Sequence, residues 1–201
     1  MAEPADQIHA RAVAAGPGGR LPNPDFVTWE SFPFEVVDGA LVPKVLAAPT
    51  DEAPRKGEGG QDCFLCADEV PGVIWTNERW RVKHLERSGL PMVLMLEPIE
   101  HLDLPDLDDD LAGELGRITV WLSRIMERLP NVERVHVNRW GDGSAHLHVW
   151  FLARPTGLPN LRGTFATLWD DILPPGPEDV WREDLATVAR KLATHDGRAQ
   201  V

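Results

Sequence analysis

The sequence predicts an α+β domain in which an antiparallel sheet packs against one long helix. Two patterns carry this expectation. Leu107, Leu111, Leu115, Ile118, Leu122, Ile125 and Leu129 recur at intervals of three or four, an apolar stripe at the helical period. Short apolar runs bounded by turn residues precede the stripe and a strand–loop–strand pair follows it, an order that suits antiparallel pairing.

Residues 1–25 carry Ala, Gly and Pro without periodicity and read as a loosely ordered arm. Asp38-Gly39 between Phe34-Glu35-Val36-Val37 and Ala40-Leu41-Val42 is a hairpin signal. Residues 48–60, polar and rich in Pro and Gly, read as a linker. Val73-Ile74-Trp75, Trp80-Arg81-Val82-Lys83 and Val93-Leu94-Met95-Leu96 are expected strands, the last ending at Pro98. The long helix is expected over residues 106–129, with Asp106, Asp108, Asp109 and Asp110 at the positive end of its dipole. The acidic run from Asp103 to Asp110 thus reads as a solvated helix start. Strands are expected over 131–137 and 145–153, joined by a tight loop at 139–143. Leu161, Phe165, Leu168, Trp169 and Ile172 suggest a second helix closed by Pro174-Pro175, and a last helix is expected over 178–193. The organisation expected is an arm, hairpin and linker over 1–60, a core over 61–158 and a C-terminal helical extension over 159–201.

Composition narrows the classes. With 43% apolar and 26% charged residues, the chain is an ordinary folded protein. Its net charge of −12 argues against nucleic-acid polymers and anionic membranes as partners, because phosphate backbones need clustered Lys and Arg. No apolar run approaches a membrane span, and the first thirty residues lack a signal-peptide core, so a cytoplasmic setting is expected. Thiols stay reduced there, and the two cysteines point to metal ligation over a disulfide.

Those cysteines stand in Cys63-Phe64-Leu65-Cys66, a spacing shared by zinc half-sites, redox pairs and packed thiols. Downstream come Pro98-Ile99-Glu100-His101 and His146-Leu147-His148. Alternate residues of a strand share a face, so the last two histidines would point into one site. Cys63, Cys66, His101 and one of that pair would complete a tetrahedral zinc set, leaving the other histidine for chemistry. Gly141-Asp142-Gly143-Ser144 could bring backbone amides and a hydroxyl to a phosphate, since glycine leaves the backbone open to approach.

In order and spacing, Asp62-Cys63-Phe64-Leu65-Cys66, Leu94-Met95-Leu96-Glu97-Pro98-Ile99-Glu100-His101, the helix, and Val137-Asn138 followed by Gly143-Ser144-Ala145-His146-Leu147-His148 resemble the histidine-triad superfamily of nucleotidyl hydrolases and transferases. The motifs are closest to its zinc-containing and galactose-1-phosphate uridylyltransferase-like branches. The resemblance covers residues 62–155 and implies a histidine-triad-like sheet with one long helix. It implies structural zinc on Cys63, Cys66, His101 and His146, with His148 as the nucleophile that forms a covalent nucleotidyl-imidazole. Asn138 matches a position that contacts phosphate or ribose, Ser144 lies in the catalytic loop, and Glu86 falls near an acidic residue that binds ribose hydroxyls. His84 lies on the nucleotide side of the family layout, although an ordinary loop histidine fits as well. A nucleotide or nucleotide conjugate is the implied ligand, and relatives are frequently dimers, so a homodimer is an expectation too.

Two departures stand out. The family motif alternates three histidines with apolar residues, and here the third place is Trp150, whose indole donates one hydrogen bond and is neither acid nor base at neutral pH. The segment between Asn138 and His146 is also short for the family. A second register places Ser144 first, His146 as nucleophile and His148 third. Against the enzyme stand a catalytically weak nucleotide-binding or regulatory module, which Trp150 favours, and a purely structural zinc domain. Trp140 and Trp150 could stack on bases or serve as half-buried core. His136 reads as a solvated or hydrogen-bonded strand residue.

Overall fold

The computed structural model describes residues 2–67 and 69–201. Helix α1 (Ala5–Ala14) opens the chain, followed by the hairpin β1 (Phe34–Val37) and β2 (Ala40–Pro43). Then come β3 (Val73–Thr76), β4 (Trp80–His84), β5 (Met92–Pro98), α2 (Asp109–Glu127), β6 (Val132–Asn138) and β7 (Val149–Pro155). Helices α3 (Phe165–Ile172) and α4 (Glu178–Leu192) and the short strand β8 (Arg198–Ala199) complete it. The main sheet runs in the order β6-β7-β5-β4-β3-β8, and every neighbouring pair is antiparallel. The fold is α+β. Among the described residues no helix is long and apolar enough to cross a membrane.

The two faces of this sheet differ in chemistry. On one, Val82, Leu94, Leu96, Val149 and Phe151 pack with Ile118, Leu122 and Met126 of α2 and with Leu185, Val188 and Leu192 of α4. His84 belongs to this face, its ring meeting Trp181 of α4 edge-on at 4.8 Å. It therefore lies on the side away from the other strand-face polar groups. The alternating residues form the second face: Arg81 and Lys83 on β4, Val93, Met95 and Glu97 on β5, Trp150 and Leu152 on β7, His136 and Asn138 on β6. One end of it is apolar, where Val93 and Leu152 pack with Leu90, Leu161 and Leu173. The other end is charged.

Local chemistry explains the boundaries. Asp38 (φ 52) and Gly39 (φ 80) both adopt the left-handed region, as a two-residue hairpin turn between β1 and β2 requires. Helix α2 begins three residues later than the acidic run suggests, because Asp108 is its N-cap and accepts the Leu111 N–H at 2.8 Å. Asp103 and Asp106 instead form a capping box around a separate 3₁₀ turn. Leu107 and Leu129 fall outside α2 but still pack on the core.

Two expectations are corrected, and one strand was not foreseen. Residues 1–25 are not a loose arm, since α1 buries Ile8, and Arg11 pairs with Glu3 at 2.6 Å and donates to the Pro174 carbonyl. The strand expected from residue 145 begins only at Val149. Ala145 and Leu147 donate their N–H groups to Lys56 and Leu102 instead of to a strand partner. Finally, β8 pairs with β3 and extends the sheet by a strand that two residues could not announce.

Candidate active site and metal centre

The histidine pair enters the site on the irregular extended segment just before β7. His146 is fully buried, and its Nε2–H donates to the Pro98 carbonyl at 2.9 Å. That bond turns Nδ1 toward the cysteines, 3.5 Å from Cys63 Sγ and 3.4 Å from Cys66 Sγ. His101 Nδ1 lies 3.4 Å from Cys66 Sγ. All four ligand atoms fall within 4.8 Å of one another. Metal–sulfur and metal–nitrogen bonds of about 2.3 and 2.0–2.1 Å at tetrahedral angles would set sulfur and nitrogen about 3.6 Å apart. The observed separations match that edge, so the group can hold a metal ion. Burial lowers the His146 pKa, which the Pro98 carbonyl partly opposes, and favours the neutral ring that a ligand must be. Burial and the neighbouring Cys63 raise the Cys66 thiol pKa in the metal-free protein.

His148 differs from His146 in the nitrogen it leaves open. Its Nδ1 lies 2.8 Å from the His146 carbonyl and donates to it, so in the neutral ring the proton is on Nδ1 and the lone pair on Nε2. The residue is half-buried, in edge contact with Trp150 at 6.4 Å between ring centres.

No protein-family model matches the chain, and no curated protein matches it. Solved structures do. A histidine-triad protein from Bradyrhizobium japonicum is 19% identical, with a TM-score of 0.50 over 60% of this chain and 89% of that one. A hypothetical histidine-triad nucleotide-binding protein from Sulfolobus tokodaii strain 7 is 15% identical, with a TM-score of 0.50 over 66% of this chain and 93% of that one. The chain has the histidine-triad fold.

The register that makes His148 the nucleophile puts Trp150 in the third place of the motif. Its Nε1 is buried without a hydrogen-bond partner, as is Nε2 of His136 on the neighbouring strand. Burial, with Arg154 nearby, lowers the His136 pKa. Asn138 lies opposite Trp150 on β6, half-buried. Trp140 covers Trp150 edge-on at 5.8 Å and is itself 42% exposed. Trp150 also packs against the apolar end of the face, so it is a core residue with one edge at the site.

The glycine loop differs between its two glycines. Neither Gly141 nor Gly143 has a positive φ, and a Cβ on Gly143 would meet nothing within 4 Å. A Cβ on Gly141 would press on the Arg139 guanidinium at 2.9 Å. Ser144 Oγ accepts the His146 N–H at 3.3 Å, so the hydroxyl steadies the histidine segment. Glu86 is exposed and sits in the β4–β5 connection. His148 precedes Val149, which pairs with Leu96, whereas Leu85 meets Val93. Glu86 is thus toward the opposite end of the sheet, on the order of 13–17 Å along the strand at about 3.3 Å per residue.

The sequence reading missed the parts that hold this group in place. Residues 55–57 of the expected linker dock beside the loop: Lys56 accepts from Ala145 at 2.9 Å and donates to Gly143 at 3.1 Å. Asp103 is 8% exposed, bonds Arg55 and Arg139 at 2.6 Å each, and so ties that segment, the loop and the His101 strand end together. Burial raises the Asp103 carboxyl pKa, but the two guanidinium hydrogen bonds outweigh it and hold it below the usual range. Gly57 (φ 79) lies against the metal ligands, where a Cβ would stand 3.1 Å from Cys63 Cβ and 3.3 Å from its Sγ. A glycine six residues before a Cys-x-x-Cys pair is a weak signal, and a Pro- and Gly-rich context hides it. An apolar-lined cleft of about 550 Å³ between α1 and α3, lined by Ile8, Ala12, Leu21, Leu161 and Trp169, contains none of these residues.

Proposed function

We propose that the chain is a nucleotidyl hydrolase or transferase that works through His148, with structural zinc on Cys63, Cys66, His101 and His146. The observation that carries this reading is the Nδ1–H to His146 carbonyl bond, which presents Nε2 as a free nucleophile. Nε2 attacks the α-phosphorus of a nucleotide conjugate, a P–N bond forms, and the P–O bond to the leaving group breaks. The ring becomes cationic in that step, and the His146 carbonyl stabilises it through Nδ1–H. Water, phosphate or a sugar phosphate then takes the nucleotide and restores the imidazole. Asn138 and Ser144, with the amides of Gly141 and Gly143, are assigned to the phosphate. The name of the Sulfolobus protein supports a nucleotide as ligand.

Zinc suits two thiolates and two imidazoles at tetrahedral separations, and with four protein ligands it serves as a brace. His146 belongs to that set with its Nε2–H already committed to Pro98. This favours His148 over His146 as nucleophile.

Trp150 favours a second reading, a nucleotide-binding module with little turnover, because no third histidine is present to protonate a leaving group. Incubating zinc-loaded protein with α-³²P-labelled nucleoside polyphosphates and nucleotide sugars separates the two. The enzyme gives an acid-labile, base-stable protein adduct and turnover. Neither, across the panel, leaves the binding module.

A further inference from the structure

The charged end of the polar sheet face holds three ionic side chains that take no part in the metal group. Glu97 is fully buried, and Arg81 and Lys83 are each 7% exposed. Arg81 Nε lies 3.0 Å from Glu97 Oε2, and Lys83 Nζ lies 3.2 Å from Glu97 Oε1. Arg81 also donates to the Leu65 carbonyl in the cysteine loop. Among the described residues Glu97 is the one carboxylate in ion-pair range of either cation. Among the described residues this sets two buried cations against one buried carboxylate, and an unbalanced charge removed from water is costly unless something neutralises it.

The register places this cluster at the His148 end of the strands. Leu96 pairs with Val149, so Glu97 and His148, each one residue beyond that pair, lie at the same end of β5 and β7, and Arg81 pairs with Glu97 on the strand beyond. Adjacent strands are about 4.8 Å apart. Lys83 pairs with Met95, which pairs with Trp150, so its ammonium reaches back to Glu97 from the next row. Glu97 Oε1, the ammonium's ion-pair partner, is buried without a hydrogen-bond partner, and the ammonium carries three donors. Its roof is the Phe64 ring, 5.6 Å away on the cysteine loop and itself 59% exposed.

We infer that the Arg81–Glu97–Lys83 cluster is the anion subsite of this face, with the Lys83 ammonium binding a phosphate oxygen of the substrate and Phe64 turning aside to admit it. Glu97 orients the two cations and keeps the empty site from carrying their full repulsion. The cysteine loop supplies both Phe64 and the Leu65 carbonyl, so the metal ligands that fix the loop also fix the subsite. The inference deepens the proposed function and rests on it for the identity of the phosphate as that of a nucleotide; anion binding itself does not depend on turnover.

The test is calorimetric titration of zinc-loaded protein with inorganic pyrophosphate and, separately, AMP. Lys83→Met leaves a neutral Arg81–Glu97 pair of similar volume, so it is expected to keep zinc and stability while weakening both probes by about tenfold or more, the loss of one charge-assisted hydrogen bond. Lys83→Arg should restore most of the affinity. A merely structural cluster gives the reverse, lower stability with unchanged affinity, and that result overturns the inference. Should Lys83→Met fail to fold, the side-chain ¹⁵N resonance of Lys83 in the unaltered protein decides: it shifts on pyrophosphate addition if the ammonium is the ligand, and an unmoved signal at saturation overturns it. Lys83-dependent binding without any nucleotidyl adduct would refute the proposed reaction alone. Turnover and affinity unaffected by Lys83→Met would refute the subsite alone.

Discussion

Gly57→Ala tests whether the segment before the cysteines shapes the metal centre. Gly57 has φ 79 and Gly59 has φ 67, so alanine at either position must enter the left-handed region, at about 1–2 kcal/mol. Their surroundings differ. A Cβ at Gly59 meets nothing within 4 Å, whereas at Gly57 it stands 3.1 Å from Cys63 Cβ, 3.3 Å from Cys63 Sγ and 3.4 Å from His101 Cε1. Cys63 must therefore give by a few tenths of an ångström in Gly57→Ala, with His101 at the edge of ordinary contact, and neither must give in Gly59→Ala. Disturbed ligand support reduces metal affinity by about 10–100-fold, roughly 1.4–2.7 kcal/mol. Competition against a chromophoric chelator measures the affinity, and urea unfolding of the metal-loaded protein measures the shared backbone cost. Both variants should lose similar backbone stability, with only Gly57→Ala losing metal affinity. Equal affinities in the two variants would refute the packing of Gly57 against a metal site.

Asp103 gives a pH dependence with a definite sign. Its folded pKa is below the usual carboxylate value of about 3.9, so its stabilising contribution is present above that value and is lost as pH falls through the folded pKa. Asp103→Asn should lower the urea midpoint at neutral pH and flatten the acid limb of stability; identical limbs would remove Asp103 as its source. His146→Ala deletes both a ligand and the Pro98 bond, so zinc content and stability should fall together, and full zinc by elemental analysis would displace His146 from the centre. Gly143→Val meets open space without a positive φ, so fold and zinc should survive. AMP affinity should then drop about tenfold if the loop amides cradle phosphate, a loss on the scale of one or two charge-assisted hydrogen bonds; unchanged affinity moves the phosphate elsewhere.

Much of this fold is legible because its signals are periodic or positional. The stripe through Leu111, Leu115, Ile118, Leu122 and Ile125 needs one buried face, and Asp38-Gly39 needs a turn with two positive φ values. The metal group is legible because three short motifs each bring a ligand type with few other uses. What stayed hidden was hidden for physical reasons. Helix α1 buries little beyond Ile8, so its apolar pattern is faint, and its alanines read as composition instead of propensity. Arg55, Lys56 and Gly57 lie in a segment whose composition suggests solvent, yet their backbone and side-chain bonds close the loop before His146. Asp103 sits in a run of acids, and only tertiary contact distinguishes it from the exposed ones. Arg81, Lys83 and Glu97 occupy alternate positions on adjacent strands, a pattern that ordinarily marks a solvated face, whereas here the cysteine loop covers it.

The most direct test of the proposed reaction is intact-mass analysis and steady-state turnover of His148→Ala beside the parent protein, with zinc measured in both. The parent should acquire one nucleotidyl group and turn over. His148→Ala should keep its zinc, acquire no adduct and slow by at least about a hundredfold, or 2.7 kcal/mol of transition-state stabilisation. A His148→Ala protein that still carries the adduct, or turns over nucleotide at the parent rate, would contradict His148 as the nucleophile.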